Sequence, residues 1–397
     1  MSVFRGRHPL GFFQRHPLGF FNRGAVPLPE PTYATIWKIA IGNKVAWAYD
    51  TGATLGPAQV VPDDDGGCWS FDGEGKVIRL SASGALLWTC STSPLRYMVR
   101  ADNDAIYALS DYFVVRIDAD GTEEWRYSWP TTPDPVVYQP SSIARIGSSD
   151  VIVHGYDQTG PSGIEDTLYR IAADGSVTWS VRHSDAPASV WQGQRYDMRV
   201  LGSTVYASVG RPFPFMSAFG GIGSFNGNTG AAINERNLGG YSGGVARTIA
   251  VRTGIVAAGS DALGDPPGAI ASLGADLSVT WQDGTDNAGI GAYQSLISSA
   301  DQVYMLGRVY DSGGSLAWSY GTETVFDINA DDYTIHTATD GVTDNPATGG
   351  VKQYDADGTL LWRWGNSYYA NDARYGASST TLFVAGPRSI AWSYDAS

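Results

Sequence analysis

The closest approach to a catalytic spacing in this chain is Gly240-Tyr241-Ser242-Gly243-Gly244, the glycine–x–serine–x–glycine order of a hydrolase nucleophile elbow. That chemistry needs a strand before the serine and a helix after it, so that the hydroxyl projects from a strained turn. The flanking residues offer no helix, and the segment reads as a glycine-rich turn. Short-spaced carboxylates occur in Asp63-Asp64-Asp65-Gly66-Gly67 and in the Asp-Ala-Asp-Gly copies at 118–121 and 355–358. Oxygen ligands at such spacing suit a hard cation, but the frame and distal glutamate of an EF-hand loop are missing. The two Asp-Ala-Asp-Gly copies read as hairpin turns, and the acidic run is also compatible with a surface ion. His154, His183 and His336 lie far apart in sequence with no metal spacing among them. Carboxylates are spread too evenly to nominate an acid–base pair. No catalytic residue, metal ligand or cofactor is assigned.

Recognition is better represented than catalysis. The segments Trp191-Gln192-Gly193-Gln194-Arg195-Tyr196 and Tyr368-Tyr369-Ala370-Asn371-Asp372, extended by Arg374-Tyr375, mix flat rings with amide, acid and guanidinium groups. A sugar ring stacks on Trp or Tyr through its C–H groups while its hydroxyls meet nearby polar side chains. Trp191, Arg195, Tyr196, Tyr368, Tyr369, Asn371, Asp372, Arg374 and Tyr375 are therefore the candidate ligand residues. Two other uses compete for the same rings: packing between structural units, and contact with a protein, where Tyr, Trp and Arg are the usual anchors.

The elements that must position these residues come from a repeated hairpin. A Trp follows a turn residue by four places at Asn43/Trp47, Gly84/Trp88, Gly121/Trp125, Gly175/Trp179, Gly314/Trp318 and Gly358/Trp362. Two copies are degenerate: Gly230 is followed by Asn234, and Trp281 is preceded by Leu277. The successive gaps are 41, 37, 54, 55, 47, 37 and 44 residues, and a period of this size marks a propeller or solenoid. Asp-Gly and Asn-Gly pairs accept the positive φ of a tight hairpin, so each copy reads as the last two strands of a four-stranded blade, with the Trp packed between blades. The fold class expected is all-β with almost no helix: a single closed ring of eight four-stranded blades. Seven blades are the alternative if the copy near Asn234 is an elaborated loop.

Over residues 35–397 this repeat resembles the PQQ-like group of β-propeller repeats. That group includes quinoprotein dehydrogenases and also members that bind no cofactor and act as scaffolds. The resemblance would place an adjacent-cysteine pair, or cofactor-facing acid and base residues, in a quinoprotein enzyme, and neither can be matched here. Cys68 and Cys90 fall on what read as the second and fourth strands of one blade, about 9–10 Å apart across the intervening strand and too far for a disulfide.

Ring closure follows from the incomplete ends. Ile36–Tyr49 supplies a hairpin without its two earlier strands, and Ser379–Tyr394 reads as a blade without its last. Joining them removes both open edges; one extra third strand is left over, for which the role of an added edge strand is available. Extra length falls between second and third strands, at 158–166, 211–224, 260–268 and 339–350. Those loops share a face with the aromatic junctions at Trp129, Tyr138, Trp191, Tyr196, Tyr241, Tyr293, Tyr368, Tyr369 and Tyr375, which makes that face the expected place of function.

Residues 1–31 are a different material, an arm and Pro-rich linker ahead of the propeller at 32–397. The repeat Arg7-His8-Pro9-Leu10-Gly11-Phe12-Phe13-Gln14-Arg15 followed by His16-Pro17-Leu18-Gly19-Phe20-Phe21-Asn22-Arg23 excludes helix by its Pro and Gly. Its phenylalanines suit docking better than exposure. Arg7, His8, Phe12, Phe13, Arg15, His16, Phe20, Phe21 and Arg23 are the candidate anchoring residues. The arm resembles the short basic, aromatic arms at the ends of tailed-phage virion proteins. Four arginines against Glu30 make residues 1–30 +3, which leaves −17 of the total −14 for the rest. An acidic body argues against nucleic acid or an anionic membrane as its partner. No apolar run long enough to span a bilayer is present, and the N-terminus lacks the apolar core of a secretory signal. The expectation is a non-enzymatic propeller carried by its arm on a larger assembly such as a phage virion, with a glycan- or receptor-binding face. The alternatives are a quinoprotein or carbohydrate-active enzyme on the same fold, or an intracellular interaction scaffold.

Overall fold

The repeated hairpins close as their turn residues dictate. In a computed structural model of the chain, Gly84, Gly121, Gly175, Gly230, Gly314 and Gly358 sit at φ between 75° and 90°, where a side chain is strained. Asp118, Asp311 and Asp355 explain the acid three places earlier: each carboxylate accepts a backbone N–H from across its turn, at 2.8–2.9 Å from Thr122, Ser315 and Thr359. The strand that leaves the turn carries one extra residue just before the Trp position. In the first blade Arg79 faces Trp88 while Leu80 faces Leu86, so that Leu87 is unmatched. The same bulge recurs in all eight sheets.

The structure describes residues 35–41, 44–53, 57–102, 104–129, 142–160, 163–182, 197–209, 221–237, 246–260, 269–284, 295–305, 307–320, 323–338, 351–364, 370–378, 380–386 and 394–395. Among them there is no helix. The chain divides into two units, Met1–Glu30 and Pro31–Ser397, and the described residues belong to the second. The anchoring arm lies outside the described residues.

Eight antiparallel sheets are present. Taken from inner to outer strand, blade 1 runs from Pro57–Pro62 to Leu86–Ser91, blade 2 from Leu95–Arg100 to Glu123–Ser128, blade 3 from Ser142–Ile146 to Val177–Arg182, and blade 4 from Met198–Leu201 to Ala232–Asn237. Blade 5 runs from Ala246–Arg252 to Val279–Gly284, blade 6 from Leu296–Ile297 to Leu316–Ser319, and blade 7 from Glu323–Ile328 to Leu360–Trp364. Blade 8 takes Asp372–Tyr375 and Thr381–Gly386 from one end of the chain and Thr35–Ala40 and Lys44–Asp50 from the other. Six pairs from Thr35↔Gly386 to Ala40↔Thr381 close the ring. The leftover strand is resolved as an edge strand: Tyr394–Asp395 pairs with Arg363 and Trp364 on the outer edge of blade 7. One expectation is corrected. In blade 3 the extra length at 158–166 is mostly strand, with Tyr156↔Asp166, Asp157↔Glu165 and Gly160↔Gly163 in register, because the two strands continue pairing where a loop was expected. Cys68 and Cys90 lie on the second and fourth strands of blade 1 as free thiols.

The core is divided among the junctions. Each apolar cluster spans two neighbouring blades: Trp69, Phe71 and Val77 of blade 1 pack with Met98, Ile106 and Val115 of blade 2. Ile36, Phe383 and Ala385 of blade 8 pack with Val60, Cys68 and Ile78 of blade 1. The outer half of most junctions uses the Trp. The indole N–H of Trp47, Trp88, Trp125, Trp179 and Trp318 donates to a carbonyl in the next blade's turn, on Ala82, Ala119, Ala173, Gly227 and Ala356, at 2.7–3.1 Å. The ring itself covers the turn glycine: a Cβ at Gly121 or Gly358 would stand 2.7 or 2.6 Å from the indole of Trp88 or Trp318. Glycine is thus required twice over, by its φ and by the Trp of the blade before.

Candidate functional site

The two ends of the ring differ in what their side chains are free to do. First-to-second and third-to-fourth turns leave from one end, because alternate strands run the same way, and there charged side chains tie blade to blade. Arg100 of blade 2 meets Asp64 of blade 1 at 2.6 Å, and Arg79 of blade 1 meets Asp104 of blade 2 at 3.4 Å. Arg145 donates to Ala101 O across the next junction at 3.1 Å, and Arg252 reaches Ser298 O and Asp301 of blade 6 at 2.6 and 2.5 Å. This accounts for the acidic run. Asp63 is buried, which raises its carboxyl pKa, and it accepts from Gly67 N at 2.6 Å; Asp64 is held below the usual carboxylate range by its bond to Arg100. Asp63 and Asp64 thus make turn and junction contacts, and no group of three His, Cys, Asp or Glu side chains that could hold a metal ion is found among the described residues.

Around the axis, inner strands are joined by side chains that accept a neighbour's backbone N–H. Asp372 takes Val60 N at 3.0 Å, Gln59 takes Met98 N at 2.8 Å, Asp197 takes Ile249 N at 2.8 Å and Asp327 takes Tyr375 N at 2.8 Å. Burial raises the pKa of Asp197, Asp327 and Asp372, and Arg199 and Arg374 oppose that shift. The pattern Asp-x-Arg at 197–199 and 372–374 occurs at two of these junctions and is a local sequence signal for them.

The candidate ligand residues divide accordingly. Trp191, Arg195, Tyr196, Tyr368 and Tyr369 lie outside the described residues. Asn371 donates its backbone N–H to Ala385 O at 2.9 Å. Asp372, Arg374 and Tyr375 are engaged at the closing junctions: Arg374 lies 2.9 Å from Asp372 and donates to Phe326 O at 2.5 Å. Tyr375 is buried, with its hydroxyl accepting from Gln353 at 2.8 Å. Trp129, another of the junction aromatics, is also buried and donates to Asp111 O at 3.1 Å. The described junction rings therefore pack the ring, and a ligand surface would draw on the residues beyond them.

One cluster has the composition of an acid–base site and was not legible in the sequence. In blade 7 Glu323 accepts from Lys352, and Tyr354 donates to the same carboxylate oxygen at 3.3 Å. His336 Nδ1 stands 3.9 Å from the other oxygen, and His336 Nε2 is 2.8 Å from Thr334 Oγ1. Burial, with Lys352 adding, lowers the His336 pKa to about 3, so the ring is neutral. Tyr320 of blade 6 packs edge-on against it at 4.7 Å. His336 is 0% exposed and Lys352 5%, which closes the group to a substrate and leaves it the work of fixing blade 7 against blade 6. His154 is buried too; His183 and the serine of residues 240–244 lie outside the described residues.

No family model matches the chain, and no curated protein matches it in sequence. Solved structures do match. They include BamB from Moraxella catarrhalis, with TM-score 0.51 and 13% identity over 89% of this chain and 91% of that one. The Dos1 propeller matches with TM-score 0.54 and 12% identity over 84% and 95%. The C-terminal WD40 domain of Sif2 matches with TM-score 0.56 and 11% identity over 85% and 95%. The chain is a β-propeller. At these identities the likeness fixes the fold of the ring and leaves ligand and cofactor to the residues themselves.

Proposed function

We propose that this propeller is a non-catalytic binding protein, anchored by residues 1–24 to a larger assembly such as a phage virion and meeting a surface glycan or receptor with its loop-bearing end. The observation that carries the reading is the asymmetry between the two ends. At one end Arg79, Arg100, Arg145 and Arg252 are engaged in blade-to-blade contacts. The strands at the other end lead into every connection longer than a turn, and those segments hold Trp191, Arg195, Tyr196, Tyr368 and Tyr369. Such connections vary without cost to the ring and are where propellers carry specificity. The arm's phenylalanines and arginines supply apolar and cationic groups for the anchoring contact.

Two measurements test it. Full chain lacking residues 1–24 should fold with unchanged melting and fail to join particles reconstituted from its source; normal incorporation would end the anchoring role. Replacing Trp191, Tyr368 and Tyr369 together by Ala should abolish binding to a glycan array or to whole cells with melting lowered by no more than a few degrees. Binding that survives, or a variant that unfolds, would return these rings to the core.

A further inference from the structure

Among the described residues, eight of the nine large apolar side chains left exposed lie on outermost strands. They fall at two repeat positions, two and three places after the turn residue: Leu86 and Leu87 in blade 1, Val177 in blade 3, Ile233 in blade 4, Val279 in blade 5, Leu316 in blade 6, and Leu360 and Leu361 in blade 7, with exposures from 38% to 54%. Scattered single residues would need no comment, but a set that recurs at fixed repeat positions forms a belt along the rim, interrupted in blade 2 by the exposed Glu123 and Glu124. Leu87, Ile233 and Leu361 are the bulge residues of their hairpins, unmatched by the neighbouring strand. Bulges blunt simple edge-to-edge pairing, so the belt offers side chains to a visitor ahead of a backbone ladder. Beyond the bulge the edge does take an added strand, as Tyr394–Asp395 shows on blade 7.

Charge narrows the occupant. Beside the belt stand the exposed turn acids Asp120, Asp174, Asp276 and Asp357. Hydrogen bonds from Thr122, Ser176 and Ser278 keep the first three below the usual carboxylate range. An acidic rim studded with aliphatic residues suits an extended segment that alternates phenylalanine with arginine. We propose that the rim is a docking belt for residues 7–23 of a second copy of this chain, Phe12, Phe13, Phe20 and Phe21 covering the exposed leucines and Arg7, Arg15 and Arg23 meeting the turn acids. The chain before Thr35 could span on the order of 100 Å when extended, enough to reach another ring. Arm and rim are different surfaces, so the contact is heterologous, closing into a ring or extending into a filament according to the rotation between copies. This rests on reading the arm as an anchor, and it names the anchor's partner.

The test uses full-length protein. Sedimentation velocity should show association that grows with concentration and weakens with salt. An arm variant (Arg7→Glu, Arg15→Glu and Arg23→Glu, with Phe12→Ser and Phe20→Ser) and a rim variant (Leu86→Ser, Leu87→Ser, Leu360→Ser and Leu361→Ser) should each weaken self-association at least tenfold. Mixed together, they should associate again, because one brings an intact rim and the other an intact arm. A labelled peptide of residues 5–24 should bind the arm variant and lose at least tenfold in affinity for the rim variant, whose melting should match the parent. A chain that stays monomeric, rim substitutions without effect, or a mixture that stays apart would overturn the belt. Particle incorporation separates the two readings: if it needs the arm but ignores the rim substitutions, the anchoring role stands and the belt does not.

Discussion

The junction between blades 6 and 7 and the junction between blades 4 and 5 solve one packing problem in two ways. At the first, Trp318 covers Gly358 and donates to Ala356 O at 3.1 Å, and Gln302 donates to the same carbonyl at 3.3 Å. At the second, the covering Trp is replaced by Asn234, and the residue it would cover is Leu277, at φ 62° and 2% exposed. The leucine fills the volume the indole vacates, packing with Tyr206, Ile249 and Leu273. The corresponding carbonyl, Ala275 O, takes the hydroxyl of Tyr206 at 3.1 Å, and Arg236 donates to Leu277 O at 3.0 Å. Two copies that look like independent decay in the sequence are the two halves of one altered interface. A Trp on one blade and a Gly on the next are a pair, and so are Asn and Leu.

The comparison can be broken most forcefully at the standard junction. Trp318→Asn alone should cost about 3 kcal/mol in a denaturant titration, from a large ring truncated without collapse of its site. Gly358→Leu alone should cost at least as much, because it adds a side chain at φ 82° and places Cβ 2.6 Å from the indole. The double variant copies the blade 4–5 solution and should be more stable than Gly358→Leu by about 2 kcal/mol, a coupling in the range expected of residues in contact. A double variant no better than the single would show that Leu277 is tolerated for reasons unrelated to Asn234.

A smaller effect sharpens the difference between the two junctions by pH. At the blade 6–7 junction His336 has its pKa lowered from 6.5 to about 3, so between those values the unfolded chain binds a proton that the folded chain refuses. Stability contributed by the neutral ring is fully present above pH 6.5 and is lost as pH falls toward 3. Glu323, raised by burial, acts in the opposite sense just above its ordinary value of 4.5 and is protonated in both states below it, so the His336 slope is clearest from 4.5 down to about 3. Replacing His336 by Phe should flatten the stability profile in that interval. A profile as steep as the parent's would place the acid sensitivity elsewhere.

How much of this was open to sequence reading follows from what each feature depends on. The hairpins were legible because a positive φ restricts residue choice at the turn, and because Trp at a fixed distance leaves a visible period. Ring closure was legible because an edge strand without a partner is costly, so two incomplete blades imply each other. The complementarity of Asn234 and Leu277 was not legible, since it depends on which blade's strand lies over which turn, 43 residues away. The roles of Asp372, Arg374 and Tyr375 were obscured for the same reason: a polar side chain that accepts a neighbouring blade's N–H has the same composition as one that waits for a ligand. Glu323, His336 and Lys352 lie on three different strands, and no local spacing brings them together.

The least perturbing change tests the altered junction from its own side. Leu277→Gly relieves about 1 kcal/mol of left-handed strain and removes a leucine side chain whose burial is worth about 2 kcal/mol, so a net loss near 1 kcal/mol is expected. Adding Asn234→Trp should recover that loss, because the new indole would cover the new glycine and its N–H has an acceptor in reach. Ala275 O already takes Tyr206, yet a carbonyl accepts two donors, and elsewhere in the ring it does so: Ala119 O takes both Trp88 at 2.8 Å and Arg79 at 3.1 Å. The double variant should therefore unfold within about 1 kcal/mol of the parent, by a sum of terms no larger than a single core substitution. If Asn234→Trp further destabilises Leu277→Gly, the junction between blades 4 and 5 differs from the others in backbone placement as well as in side chains, and the pairing rule applies only where the blades are spaced alike.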